Sequence, residues 1–193
     1  MHPTGTANST SAMPDTLSQH REITAACRDL FLRKASDYGT SWRVLRPISI
    51  VDQIYIKAWR IRQIQQKGVQ RISDSVGSEF SGIVNYGIIA LIQDTAQDDN
   101  DWEWSTDRAA KAYDRELQII ENLMVEKNHD YGEAWRQLSE ESLVDLILVK
   151  LLRIRQIIAN EGATQVSEGA DANFRDIVNY AVFALIRHSE AGQ

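Results

Sequence analysis

The chain has 193 residues, 43% hydrophobic and 25% charged, with 27 acidic and 21 basic side chains for a net charge of −6. Such a composition describes a globular protein with core enough for one domain or two small ones. Its acidity argues against a duplex nucleic-acid binder, whose affinity comes from neutralising phosphates. One cysteine, Cys27, excludes an internal disulfide and fits a reducing cytoplasm, and no apolar run reaches the ~18 residues of a membrane span.

Residues 1–20, rich in Ser and Thr, read as a disordered tail and not as a signal peptide. A first helix is expected over about 20–36, closed by Asp37-Tyr38-Gly39, because glycine takes the left-handed conformation that ends a helix. Ser49 and Asp52 then have the Ser-x-x-Asp spacing of a capping box, opening a second helix that ends near Lys67-Gly68. A third helix covers about 78–93, and residues 94–105 form an acidic linker.

The same three elements then recur. A helix over about 106–129 stops at Asp130-Tyr131-Gly132, Ser142 and Asp145 open the next, which ends near Glu161-Gly162, and the last covers about 171–188. At an offset of 93, Lys34, Asp37, Tyr38, Gly39, Trp42 and Arg43 match Lys127, Asp130, Tyr131, Gly132, Trp135 and Arg136. Lys57 and Arg60 match Lys150 and Arg153, and one inserted residue later Ile83-Val84-Asn85-Tyr86 matches Ile177-Val178-Asn179-Tyr180. A unit of roughly 75 residues is written twice. No segment alternates at period two, so the fold expected is all-α: three-helix repeats at 21–93 and 106–189. Three such helices bury little alone, and the helix from Leu143 to Ile158 is apolar on nearly every side. The copies are therefore expected to pack as a pseudo-twofold bundle.

Three groups of residues carry candidate chemistry. Lys150 and Arg153, one turn apart, can converge on a phosphate, as can Lys57 and Arg60; equally, they snorkel or pair with structural carboxylates. Tyr131 and Trp135, with Asp130, offer ring faces and a polar edge to a base, as do Tyr38, Trp42 and Asp37; equally, the segment is a helix stop with an aromatic anchor. Asp176 shares a helix face with Asn179 and Tyr180, and with Glu168 and Asp171 supplies oxygen ligands suited to Mg²⁺; equally, this is a solvated helix face. In the first copy Gly82 stands where the second has Asp176, so a metal site is expected to be more complete in the second. No GK[ST] phosphate loop, no G-x-S-x-G and no metal-spaced histidines occur.

The Lys-x-x-Asp-Tyr-Gly-x-x-Trp segment, the Asp-x4-Lys-x2-Arg helix and the closing Ile-Val-Asn-Tyr-Ala helix resemble the nucleotide-modification-associated domain family over about residues 21–188. That resemblance implies a helical domain linked to modified-nucleotide metabolism. A looser similarity is to the all-α MazG-like nucleotide pyrophosphohydrolases, which hold Mg²⁺ with Glu-Glu-x-x-Glu and Glu-x-x-Asp helices. Here the second helix carries only Asp145, and Asn173 with Asp176 replaces the later pair. The expected function is binding of a nucleotide or modified nucleotide, with Mg²⁺-dependent pyrophosphate hydrolysis as the further step. The alternative is a non-enzymatic interaction protein or a subunit of a modification system, and a homo-oligomer is compatible with either.

Overall fold

The computed structural model describes residues 15–71, 73–97, 99–162 and 169–191. Six helices form: α1 (Thr16–Tyr38), α2 (Pro47–Lys67), α3 (Val76–Thr95), α4 (Thr106–Tyr131), α5 (Glu140–Ala159) and α6 (Ala170–Ala191). Short 3₁₀ turns, Ser41–Val44 and Ala134–Gln137, follow α1 and α4. Among the described residues there is no strand, and no helix long and apolar enough to cross a membrane.

Local chemistry sets most of the boundaries. Asp15, Ser75, Ser105 and Ser139 cap helices by accepting hydrogen bonds from backbone N–H groups of the first turn, which have no partner inside the helix. Gly132 ends α4 at φ 58° and ψ 49°, its N–H donating to the Asn128 carbonyl at 2.9 Å. The Asp-Tyr-Gly segment is thus a helix stop.

Three expectations are corrected. Residues 16–20 belong to α1, so the helix begins inside the stretch read as a tail. Neither Ser49 nor Ser142 is a cap. Proline at the first helical position starts α2, and Ser139 caps α5, accepting from the Ser142 N–H at 3.1 Å. Asp52 and Asp145 instead reach across the molecule, to Arg155 at 2.7 Å and Arg62 at 3.6 Å. Finally, α5 is not enclosed on all sides: Val149 and Leu152 are 44% and 54% exposed.

Each helix packs against its own counterpart, α1 on α4, α2 on α5 and α3 on α6. Ile50, Val51, Ile54, Ala58 and Ile61 of α2 meet Leu143, Val144, Ile147, Leu151 and Ile154 of α5 in a core continuous across both copies. The Asp52–Arg155 and Arg62–Asp145 pairs are related by the same pseudo-dyad. So are two ion pairs between α1 and α4, Arg21–Glu121 at 2.7 Å and Arg28–Asp114 at 2.5 Å, but here the first copy supplies both cations and the second both anions. The first helices also cross over. His20 Nε2 lies 3.1 Å from Asn179 Oδ1, and the Tyr113 hydroxyl donates to Asn85 Oδ1 at 2.8 Å. His20 and Tyr113 are counterparts, as are Asn85 and Asn179, so each copy fastens its first helix to the other copy's third.

His20 makes that fastening pH-sensitive. Burial lowers its pKa from 6.5, so the folded ring stays neutral where an unfolded one takes up a proton. Its contribution is therefore present above the unfolded pKa and lost as pH falls below about 6.5. Thermal melts from about pH 7 down to pH 5.5 are expected to show this loss. His20→Tyr, which supplies the phenol that Tyr113 uses at the matching position, is expected to flatten it. An unchanged slope in the variant would assign the pH dependence elsewhere.

Candidate functional site

The repeated motif of the first copy lines one side of a cleft of about 670 Å³. Lys34 and Tyr38 come from the end of α1, and Trp42 from the 3₁₀ turn that Gly39 makes room for. Lys57 arrives from α2, and Asp74, Glu79, Gly82, Asn85 and Tyr86 from α3 and the residues before it. Tyr38 is 72% exposed at the rim. Trp42 is half-buried, its ring 6.1 Å from Phe31 and 5.9 Å from Trp104. A larger, more open hollow of about 780 Å³ lies between the linker and α4, with Arg108 covering its Trp104 and no motif residue in its lining.

The cations of the first copy meet one carboxylate. Glu79, mostly buried, accepts from Lys57 Nζ at 3.1 Å and from the Arg60 guanidinium, which also donates to the Asp74 carbonyl at 2.9 Å. Lys57 reaches Glu79 by lying over Gly82: a Cβ added there would stand 2.7 Å from Lys57 Cε. Lys34 makes no ion pair among the described residues. Asp37 is exposed and does not line the cleft.

In the second copy the carboxylate has moved one turn along the third helix. Asn173 stands at the place of Glu79 and donates to the Gly169 carbonyl at 2.9 Å. Asp176 stands at the place of Gly82 and gives one oxygen to Lys127 at 2.5 Å and the other to Lys150 at 2.6 Å. Burial, with Asp176 next in effect, raises the pKa of the neighbouring Tyr180 phenol. A hollow of about 310 Å³ remains beside Asp176, lined in part by Glu126, Lys127 and Arg175.

The other candidate residues of this copy are differently placed. Trp135 is buried and stacks on Phe183 at 4.4 Å, with the Arg136 guanidinium 4.4 Å from its ring centre, so it serves as a packing anchor and presents little surface to a base. Tyr131 is exposed, and Asp130 lies 3.1 Å from His129. Arg153 is exposed, with no ion pair among the described residues. Lys150 is thus brought to Lys127 rather than to Arg153.

Of the carboxylates expected to hold Mg²⁺, Glu168 lies outside the described residues, Asp171 pairs with Arg175 at 2.5 Å, and both oxygens of Asp176 are taken by ammonium groups. Among the described residues no group of three His, Cys, Asp or Glu side chains is placed to hold a metal ion. Cys27 is buried, and burial pushes its thiol up to about 11.

Sequence reasoning did not find the pairing of Glu79 with Lys57 and Arg60, nor the partnership of Lys127 with Lys150. The recurrence of Lys34 at Lys127 was the available signal for the latter.

A family model described as nucleotide modification associated domain 1 matches the chain twice, over residues 34–93 and 127–187. The chain belongs to this family. Both matches open on the motif lysine and run into the third helix, so each nucleotide modification associated domain contains its own version of the cleft residues. No curated protein and no solved structure matches the chain. The looser similarity to MazG-like pyrophosphohydrolases is not carried by these matches.

Proposed function

We propose that this nucleotide modification associated domain protein binds a nucleotide in the cleft of its first copy. The observation supporting this reading is the convergence there of two lysines and the aromatic rings of the repeated motif. Lys34 and Lys57 face the phosphates as charge-assisted donors. Tyr38 and Trp42 flank the base, each ring offering a stacking surface. Arg60 keeps Glu79 neutralised when Lys57 turns to the ligand. Of the residues read from the sequence, Asp37, Asp130, Tyr131, Trp135, Lys150 and Arg153 lie outside this scheme.

Calorimetric titration with nucleoside mono-, di- and triphosphates tests it. Lys57→Met is expected to weaken phosphate-bearing ligands about tenfold or more, because a charge-assisted bond contributes roughly 1.5–3 kcal/mol. The matching nucleoside is expected to be little affected. Tyr38→Ala, at a largely exposed position, is expected to weaken all of them without lowering the melting temperature. If both variants fold and bind like the parent, the cleft is not the site. Repeating the titration with Mg²⁺ and assaying for released pyrophosphate tests hydrolysis, for which the described carboxylates provide no ready metal cage.

The alternative of a protein-interaction role draws on a different surface. Ile56 and Trp59 of α2, and their counterparts Val149 and Leu152 of α5, are exposed apolar side chains. Substitutions there are expected to leave nucleotide titrations unchanged.

A further inference from the structure

We infer that Asp176 is a built-in stand-in for the ligand's anionic group: it closes the second copy's site, and it marks where a phosphate sits in the first. The inference rests on the nucleotide reading and deepens it, since it fixes the position of one phosphate and the number of sites.

The argument follows the pseudo-dyad. Lys127 and Lys150 arrive from the first and second helices of their copy and grip one carboxylate from the third, at 2.5 and 2.6 Å. Two ammonium groups with one oxygen each is the geometry a phosphate also satisfies. The first copy keeps both lysines, as Lys34 and Lys57, and lines its cleft with them. It lacks the carboxylate, because Gly82 carries no side chain. Lys57 fills the space over Gly82 and pairs with Glu79, while Lys34 makes no ion pair among the described residues. Glu79 is shared with Arg60, so Lys57 can swing to an incoming anion without stranding Glu79 as a buried, unpaired charge. One copy is therefore open and the other self-neutralised.

Two exchanges test this, with inorganic phosphate as the probe. Gly82→Asp imports the second copy's carboxylate into the first. The nearest atoms to the added Cβ belong to the flexible end of Lys57, which must move aside. Asp176→Ala removes the carboxylate that Lys127 and Lys150 share. The parent is expected to bind one phosphate per chain by calorimetry and to melt higher as phosphate is added. Gly82→Asp is expected to weaken that binding at least tenfold and to abolish the thermal shift. Asp176→Ala is expected to bind two phosphates per chain and to show a larger shift than the parent. If one variant fails to fold, by circular dichroism, the other decides alone. A parent that binds no phosphate, a folded Gly82→Asp that binds it as the parent does, or a folded Asp176→Ala still limited to one, overturns the inference. A nucleoside-monophosphate arm separates the two readings. If phosphate behaves as stated but the nucleotide binds no tighter, the anion site stands and the nucleotide reading falls.

Discussion

Residues 106–193, expressed without the first copy, are expected to aggregate or to self-associate weakly rather than to fold as a monomer. On α5 and α6, Leu143, Val144, Ile147, Leu151, Ile154, Ile177, Val178 and Val182 are wholly buried, in a core continuous with α2 and α3. Each contributes about 1.5–3 kcal/mol when fully buried. Exposing even half of them costs about 6–12 kcal/mol, comparable to the roughly 5–15 kcal/mol by which an ordinary domain is stable. A homodimer of the fragment has one point in its favour, since Tyr113 then meets Asn179 as it now meets Asn85. It also has one against it. On α1 the partners of Asp114 and Glu121 are Arg28 and Arg21, and a homodimer sets carboxylate against carboxylate instead. Any such dimer is therefore expected to tighten with added salt, which screens exposed like charges. Light scattering across a salt series checks it. A monomer with a cooperative melt would show that one copy holds its own core.

Arg43→Met is expected to lower stability by about 3 kcal/mol, a fall in melting temperature of roughly 6–12 °C for a chain of this size. The Arg43 side chain is 3% exposed, so nearly all of it is out of water. It donates to the Asp99 carbonyl at 2.7 Å and the Asp101 carbonyl at 3.3 Å, and also to the Gln93 side chain. The guanidinium lies 4.4 Å from the centre of the Trp104 ring. One residue thus ties the linker, α3 and the turn bearing Trp42 together. Methionine fills the space but donates nothing, which leaves carbonyls and the Gln93 oxygen without their donor. Arg136, the counterpart, is 15% exposed and holds α1's first turn through Thr16 and Gln19. Arg136→Met is expected to cost less. Equal, small losses in the two variants, within about 0.5 kcal/mol, would place Arg43 with ordinary surface residues.

What the sequence made legible followed from local chemistry. The duplication, the helix count and the glycine stops all depend on residues near one another in the chain. The caps assigned to Ser49 and Ser142 failed for a complementary reason. Asp52 fits a capping box by spacing, but its partner, Arg155, lies more than a hundred positions away, and only the packing of α2 on α5 reveals it. The candidate site divides along the same line. That Gly82 and Asp176 differ is plain in the sequence, as is the recurrence of Lys34 and Lys57. That Lys127 and Lys150 take both oxygens of Asp176 is not, because it depends on three helices meeting at one point. The spacing of Lys150 and Arg153 favoured the pair one turn apart. Tertiary packing joined Lys150 to Lys127 instead.

The crossing of the first helices has a consequence for how the chain is made. His20 and its partner Asn179 are 159 positions apart, and α1 ends long before α6 is synthesised. At roughly 5–20 residues per second, α1 waits on the order of ten seconds for the surface it covers. Over that interval the ribosome-bound chain presents the apolar faces of α2 and α3 without the α5 and α6 surfaces that cover them. Closing so distant a contact is also slow in a free chain, since the entropy of the intervening loop must be overcome first. The protein is therefore expected to reach its native form after release, in one late step, and its yield in a cell to follow the supply of chaperones that shield nascent chains.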